Sequence, residues 1–328
     1  MNNPPPILPL QQSPEFARCL TAMRQLVTRH VSARSDMSWQ VQSKGIGGIG
    51  LVDLVTRGPV GNMETWLQHW RDYHDTTPLL LNAPPCRPDL LRNHGLWPLI
   101  TPVTLGITDL GAPQNMRSAM GQKWRNRLRR AEAYKIKVKC YDLQDHHWLI
   151  ATEDTQARQK GYRGYPAGFS TLFGQINPGQ AKVFEAQYQG EIIAGIVVLL
   201  HGRMATWQIG HNLPEGRQLN AMNLLLWRAM CWLSERGYMQ LDLGVLNGKD
   251  AEGLTRFKLG SGAKAQRQGG TWLYMNTLAP LAKRLPSRLS GFRNFRGREP
   301  ETFKVSEPFS SKENGAARGA VQDLIRSQ

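Results

Sequence analysis

No feature of this chain restricts its fold more than the β-branched run Ile192-Ile193-Ala194-Gly195-Ile196-Val197-Val198-Leu199-Leu200 and the elements around it. The run has the composition of a strand and falls far short of the roughly 20 residues that a membrane-spanning helix needs. Before it, Val183-Phe184-Glu185-Ala186-Gln187-Tyr188 is a second strand-like run, joined through Gln189-Gly190-Glu191, which is the signature of a hairpin. A tight break at His201-Gly202-Arg203 leads into residues 204–210, read as a third antiparallel strand. Residues 219–236 then place Met222, Leu225, Leu226, Ala229, Met230 and Leu233 at helical spacing, with Gly237 positioned to end the helix. Residues 239–244 alternate as a short strand, and a Gly/Asn/Asp-rich loop delivers Arg256-Phe257-Lys258-Leu259-Gly260-Ser261-Gly262. The aromatic strand Gly270-Thr271-Trp272-Leu273-Tyr274 closes the series.

The order of three strands, a long helix, a strand, a loop and a final strand resembles the second half of a Gcn5-type N-acyltransferase (GNAT) fold. The stretch from "YQGEIIAGIVV" to "DLGVLNGKDAEGLTRFKLGSGA" resembles the FemAB-like and BioF-type acetyltransferase branch of that superfamily. Its marks are "G..AG" in the hairpin, "W...RG" at the helix end, "DLG" closing a strand and "FK.G.G" after it. Gln12-Ser13-Pro14, Arg57-Gly58-Pro59-Val60 and the run 123–131 agree in order. The resemblance covers residues 8–275. It implies an α/β (α+β) protein, a mixed and mostly antiparallel sheet flanked by helices, built as a reduced tandem pair. The expected division is 1–113 for a reduced GNAT-like unit, 114–278 for the catalytic unit and 279–328 for a basic, largely disordered tail.

The first unit reads in order as follows. Ser13 caps and Pro14 opens a helix running to about His30. Residues 37–42 and 50–55 are strands, 62–73 a helix, 78–83 a strand, 88–93 a short helix, and 104–110 alternates like an edge strand. The glycines of residues 44–50 are followed by neither Lys-Ser/Thr nor a helix, so they suit a hairpin turn rather than a phosphate loop.

The chain of 328 residues carries 41 Lys and Arg against 25 Asp and Glu, a net charge of +16. That excess would attract RNA, a nucleotide-linked precursor or an anionic membrane face. Part of it sits on residues 116–132, read as one helix whose Met116, Met120, Trp124, Leu128 and Ala131 form an apolar stripe. Lys123, Arg125, Arg127 and Arg130 fan around the rest and are the candidate donor or RNA contacts. The plain alternative is a solvated charged face. Cys19, Cys86, Cys140 and Cys231 are scattered without a ligand-like cluster, so reduced thiols and no metal site are expected. With no basic-then-apolar leader, the expected location is cytoplasmic.

Acyl transfer to nitrogen needs a neutral amine, a stabilised oxyanion and a protonated leaving group. There is no GxSxG elbow and no evident Cys-His pair, so direct attack in a ternary complex fits better than a covalent intermediate. In the FemAB-like family the matching Phe-Lys pair lies at the transfer centre. The resemblance thus implies Lys258 as the oxyanion or phosphate stabiliser and Phe257 as a positioning residue. Asp242 either orients the amine, acts as base or caps the following loop. His211 is a further candidate or a structural histidine. An Arg and Tyr of the family hold the acceptor's diphosphate or glycan, which the resemblance carries to Arg158 and Tyr162, with Arg163 competing.

CoA-dependent relatives place a "Q/R..G.G/A" loop before the long helix, where backbone N–H groups meet the pyrophosphate. Here that place reads Glu215-Gly216-Arg217-Gln218-Leu219-Asn220-Ala221, which lacks the full pattern. Three readings follow: transfer from aminoacyl-tRNA, transfer from acyl-CoA, or a non-catalytic basic RNA-binding protein. The acceptor would be a small-molecule or cell-wall-precursor amine, and no permanently bound cofactor is expected.

Overall fold

The computed structural model describes residues 7–32, 37–46, 50–73, 76–160, 168–248 and 251–286. The Ser13 hydroxyl accepts the Phe16 N–H at 3.1 Å and Pro14 opens α1 (Pro14–Ala22), the arrangement that satisfies an otherwise orphaned amide. The helix stops eight residues short of the expected end. Arg24 takes the left-handed conformation (φ 57°) usually given to glycine. Its N–H meets Thr21 O at 2.9 Å, and the Gln25 N–H meets Leu20 O at 2.9 Å. This double bond pattern terminates helices, and the branched residues that follow form β1 (Leu26–Val31).

Next come β2 (Ser38–Ile46), β3 (Gly50–Thr56), α2 (Met63–His69), β4 (Leu79–Ala83), α3 (Pro88–Asn93) and β5 (Trp97–Ile100). Among the described residues these strands form one sheet in the order β1-β2-β3-β4-β13-β5, where β13 is Gly270–Tyr274. The β3–β4 pair is parallel and the others are antiparallel. Its core is aromatic: Trp66 stacks on Trp70 at 5.4 Å, and Trp70 meets Tyr274 edge-on at 5.0 Å.

The second sheet gathers β6 (Thr104–Asp109), β7 (Lys137–Asp142), β8 (Ala181–Tyr188), β9 (Glu191–His201), β10 (Met204–Asn212), β11 (Gln240–Val245) and β12 (Lys264–Arg267). Their order is β12-β6-β11-β10-β9-β8-β7, antiparallel except for β10–β11. The two sheets exchange strands. β6 is no edge strand of the first unit but lies between β11 and β12, and β13 returns to the first sheet.

The helices that follow β5 in the chain are α4 (Pro113–Ala119), α5 (Gln122–Ala133), α6 (Trp148–Lys160), α7 (Gly168–Ile176), α8 (Pro214–Gln218), α9 (Ala221–Glu235) and α10 (Glu252–Gly260), with α11 (Ala279–Arg284) returning to the core of the first sheet. The single basic helix expected over 116–132 is two helices broken at Met120 and Gly121, where the Gly121 N–H bonds Gly260 O at 2.9 Å. Its apolar stripe is nonetheless buried as the spacing predicts. The Phe-Lys segment, expected as loop, is α10, and residues 279–284 are helical with Ala279 and Ala282 buried, not part of a structureless tail. The remainder of that tail lies outside the described residues.

Strand β9 is buried on both faces. Ile196, Val198 and Leu200 meet α5 and α9, while Val197 and Leu199 join the cluster of α1 and α7. Helix α9 buries Leu224, Leu225, Leu226, Met230 and Leu233, and each fully buried aliphatic side chain contributes about 1.5–3 kcal/mol. It ends at Gly237 (φ 80°), whose N–H bonds Ser234 O at 3.0 Å while the Tyr238 N–H bonds Leu233 O at 3.1 Å.

Candidate active site

β10 and β11 are parallel neighbours only from Met204–Gln240 to Thr206–Asp242. Just beyond, β10 bulges between Trp207 and Ile209 and β11 shifts register between Asp242 and Val245. Gly244 makes the second departure with φ 76°, a conformation that side chains disfavour. The strands therefore part, and side chains meet in the opening.

Lys258 reaches it from α10. Its Nζ donates to Val245 O at 2.9 Å on one wall and lies 5.9 Å from the Trp207 ring on the other. Only 7% of the residue is exposed. Burial pushes its pKa down from 10.5 to about 8, against the pull of the Asp242 carboxylate. Phe257, beside it on α10, packs between Trp124 (5.9 Å) and Trp207 (6.1 Å). Trp207 itself is folded over Gly210, where a Cβ would stand 2.5 Å from the indole.

Asp242 is 1% exposed and both its oxygens are taken. Oδ1 accepts the Gly244 N–H at 2.6 Å, and Oδ2 lies 2.5 Å from Arg57 Nη1. Arg57 comes from the end of β3 in the other sheet, and Gln11 Oε1 also accepts from its Nη1, at 3.5 Å. Of the expected residues, the structure thus brings Lys258, Phe257 and Asp242 together. It adds Arg57, Trp207 and Gly244; the sequence had marked Arg57 only within the Arg-Gly-Pro string and Gly244 only within "DLG", neither as a site residue.

The other candidates stand elsewhere. His211 meets Trp148 edge-on at 5.7 Å. Arg158 is exposed on α6 and pairs with Asp154 at 2.5 Å, whereas Tyr162 and Arg163 lie outside the described residues. Lys123, Arg127 and Arg130 share one stripe of α5, while Arg125 lies on another with Arg129, along a cleft against α4. The four cysteines are free thiols, and Cys140 is exposed. Among the described residues no helix is long and apolar enough to cross a membrane.

The place of the pyrophosphate loop holds α8. Gly216 is buried there so closely that a Cβ would stand 2.3 Å from Ile193 O. The N–H groups of Leu213, Arg217, Leu219 and Asn220 bond Ile193 O, Leu213 O, Glu215 O and Arg217 O at 3.0–3.3 Å. Ala221, Met222, Asn223 and Leu224, the first turn of α9, are all buried.

Residues 116–263 match the family model described as an acetyltransferase (GNAT) domain. No curated protein matches the chain in sequence. Among solved structures, FemX aligns with a TM-score of 0.67 at 13% identity, covering 85% of this chain and 95% of its own. A conserved protein of unknown function from Bacteroides thetaiotaomicron aligns at 0.50, with 13% identity over 79% of this chain and 88% of its own. The C-terminal domain of a putative lysylphosphatidylglycerol synthetase from Agrobacterium fabrum aligns at 0.46, with 15% identity over 83% and 90%. At such identities the likeness is one of fold. Residues 116–263, which carry the splayed strands, thus match an acetyltransferase (GNAT) domain, and the chain shares its fold with FemX.

Proposed function

We propose that this acyltransferase moves an aminoacyl group from charged tRNA to an amine acceptor, with Lys258 at the transfer centre. The observation that carries the choice of donor is the closed place before α9. The backbone amides that a CoA pyrophosphate would need are bonded within α8 or covered in the first turn of α9. A donor held through its nucleic acid needs no such cradle, and the chain's net charge of +16 suits it. The FemAB-like resemblance points the same way.

In this reading the acceptor amine attacks the ester carbonyl of the aminoacyl group. A C–N bond forms, the negative charge gathers on the carbonyl oxygen, and the C–O bond to the ribose breaks. The amine's proton passes to the leaving oxygen. Lys258, as an ammonium, stabilises the oxyanion in a site with little water, where such a charge acts strongly. Phe257 fixes the direction of α10 through Trp124 and Trp207. The Arg57–Asp242 pair holds the wall from which Gly244 bulges.

The description of the matched domain as an acetyltransferase favours acyl-CoA as the second reading. The two separate in one experiment. The purified protein is given radiolabelled total aminoacyl-tRNA or acetyl-CoA with a panel of amine acceptors. Acceptor-dependent transfer from charged tRNA supports the first reading. Saturable turnover of acetyl-CoA without transfer from tRNA overturns it.

A further inference from the structure

Resting on the aminoacyl-tRNA reading, we propose that the cleft between α4 and α5 is the seat of the donor's RNA phosphates. It is a depression of about 530 Å³ lined entirely by hydrogen-bonding side chains, among them Gln114, Ser118, Gln122 and Asn126. Arg125 and Arg129 stand four residues apart along it, about 6 Å along the helix axis. Like charges at this spacing repel by about 0.2–0.5 kcal/mol. Among the described residues neither has an acidic partner. The third arginine, Arg117 of α4, is held in place rather than free: Glu132 accepts from both its terminal nitrogens at 3.0 and 2.6 Å, and its guanidinium lies 5.6 Å from the Trp227 ring. A planar guanidinium fork fits phosphate oxygens in pairs, and the polar walls supply further hydrogen bonds of the kind that position a nucleic-acid backbone.

Two features favour RNA over a lipid surface. The cleft is concave and every residue lining it carries a hydrogen-bonding group, and none of the exposed large hydrophobic residues lies on α4 or α5, whereas an interfacial helix inserts an apolar face. The cleft is also tied to the reaction centre. On the other side of α5, Trp124 packs on Phe257 at 5.9 Å, and Gly121 bonds Gly260 at 2.9 Å, so α5 and the Lys258 helix form one unit. RNA seated on α5 is thereby fixed relative to Lys258.

The test compares two faces of one helix. Binding of uncharged total tRNA is followed by fluorescence anisotropy at several salt concentrations for the wild type, Arg125→Gln/Arg129→Gln and Lys123→Gln/Arg127→Gln/Arg130→Gln, with melting curves to confirm folding. The cleft variant should lose about tenfold or more in affinity and reduce the slope of log K against log salt by about 1–2. Arg125→Lys/Arg129→Lys should keep the slope. The variant on the neighbouring stripe, although it removes more charge, should lose less than about threefold.

No tRNA binding by the wild type, unchanged binding in the cleft variant, or an equal or larger loss from the neighbouring stripe overturns the proposal. So does a cleft variant that loses binding to phosphatidylglycerol vesicles but keeps tRNA, which would make the cleft a membrane contact. Failure of the donor reading looks different: tRNA binds through the cleft but no aminoacyl group is transferred. If transfer persists at unchanged KM in the cleft variant, the cleft proposal falls and the donor reading stands.

Discussion

Arg57 and Asp242 lie 185 positions apart in sequence and 2.5 Å apart in the fold. The guanidinium crosses from the end of β3 in the first sheet to the point where β10 and β11 part in the second. A carboxylate this deeply buried needs a cation and donors to remain charged, and Asp242 has Arg57 and the Gly244 N–H. With both oxygens engaged it is poorly placed to take a proton from an incoming amine. We assign it to the wall of the site rather than to proton transfer.

Arg57→Met would leave the Asp242 carboxylate without its cation and cost about 3–5 kcal/mol in urea unfolding. The double variant Arg57→Met/Asp242→Leu should cost clearly less than the sum of the two single changes, the mark of a coupled pair. Asp242→Asn, which still accepts the Gly244 N–H, should keep kcat within about tenfold of wild type. Loss of a general base would lower it about 10²–10⁴-fold, and a loss of that size would return Asp242 to the chemistry.

Lys258 has a pKa of about 8 when folded and 10.5 as an ordinary lysine. Between those values the unfolded chain binds a proton that the folded chain lacks, so its contribution to stability rises with pH across that window. Below about 8 the cost of the buried charge is fully present. Lys258→Met should therefore melt higher than wild type at pH 7, with the gap closing towards pH 10. Its kcat should fall about 10²–10³-fold. If the ammonium stabilises the oxyanion, wild-type transfer declines as pH rises through about 8, while Lys258→Arg carries that activity to higher pH. A Met variant with the same alkaline decline would remove Lys258 from the mechanism.

The core of the second sheet was legible in the sequence because its signals are local. The run at Ile192, the helical spacing from Met222 to Leu233 and the glycine at 237 each specify an element without help from distant residues. What stayed hidden depends on non-local partners or on an uncommon residue in a familiar role. Arg24 ends α1 in a place where glycine would have announced the turn. Leu105 and Ile107 alternate as an edge strand would, and nothing local reveals that β11 and β12 flank them. Lys258 was singled out by the family resemblance, but Arg57 could be linked to Asp242 only once the first sheet was folded against the second.

Gly216→Ala tests the packing that closes the place before α9. A Cβ there would stand 2.3 Å from Ile193 O and 2.4 Å from Asn212 Oδ1, separations that force the backbone of α8 away from β9. Overpacking of this kind costs about 1–3 kcal/mol. The variant should melt several degrees lower, and its Leu213 amide, bonded to Ile193 O, should exchange hydrogen faster. An unchanged melting temperature would mean that α8 is not held against β9 as described.

His201 makes the chain sensitive to mild acid. It is fully buried; Nδ1 donates to Leu8 O at 3.1 Å and Nε2 accepts from the Thr206 hydroxyl at 2.9 Å. Burial first, and the charge of Arg57 second, bring its pKa from 6.5 to about 3. Within that interval the unfolded chain carries the extra proton, so stability falls as pH drops below 6.5, by up to about 1.4 kcal/mol per pH unit. His147 acts in the same direction. Burial lowers its pKa while Glu185 opposes the shift, and its Nδ1 accepts the Leu149 N–H at 3.2 Å, leaving Nε2 to donate to the Tyr141 oxygen at 2.9 Å. Urea midpoints at pH 7.5, 6.5, 5.5 and 4.5 separate His201 from the carboxylates that titrate nearby in pH. His201→Gln should be less stable than wild type at pH 7.5 yet lose stability more slowly towards pH 4.5, so that the two curves converge. Parallel curves would show that His201 does not hold its neutral form in the folded state.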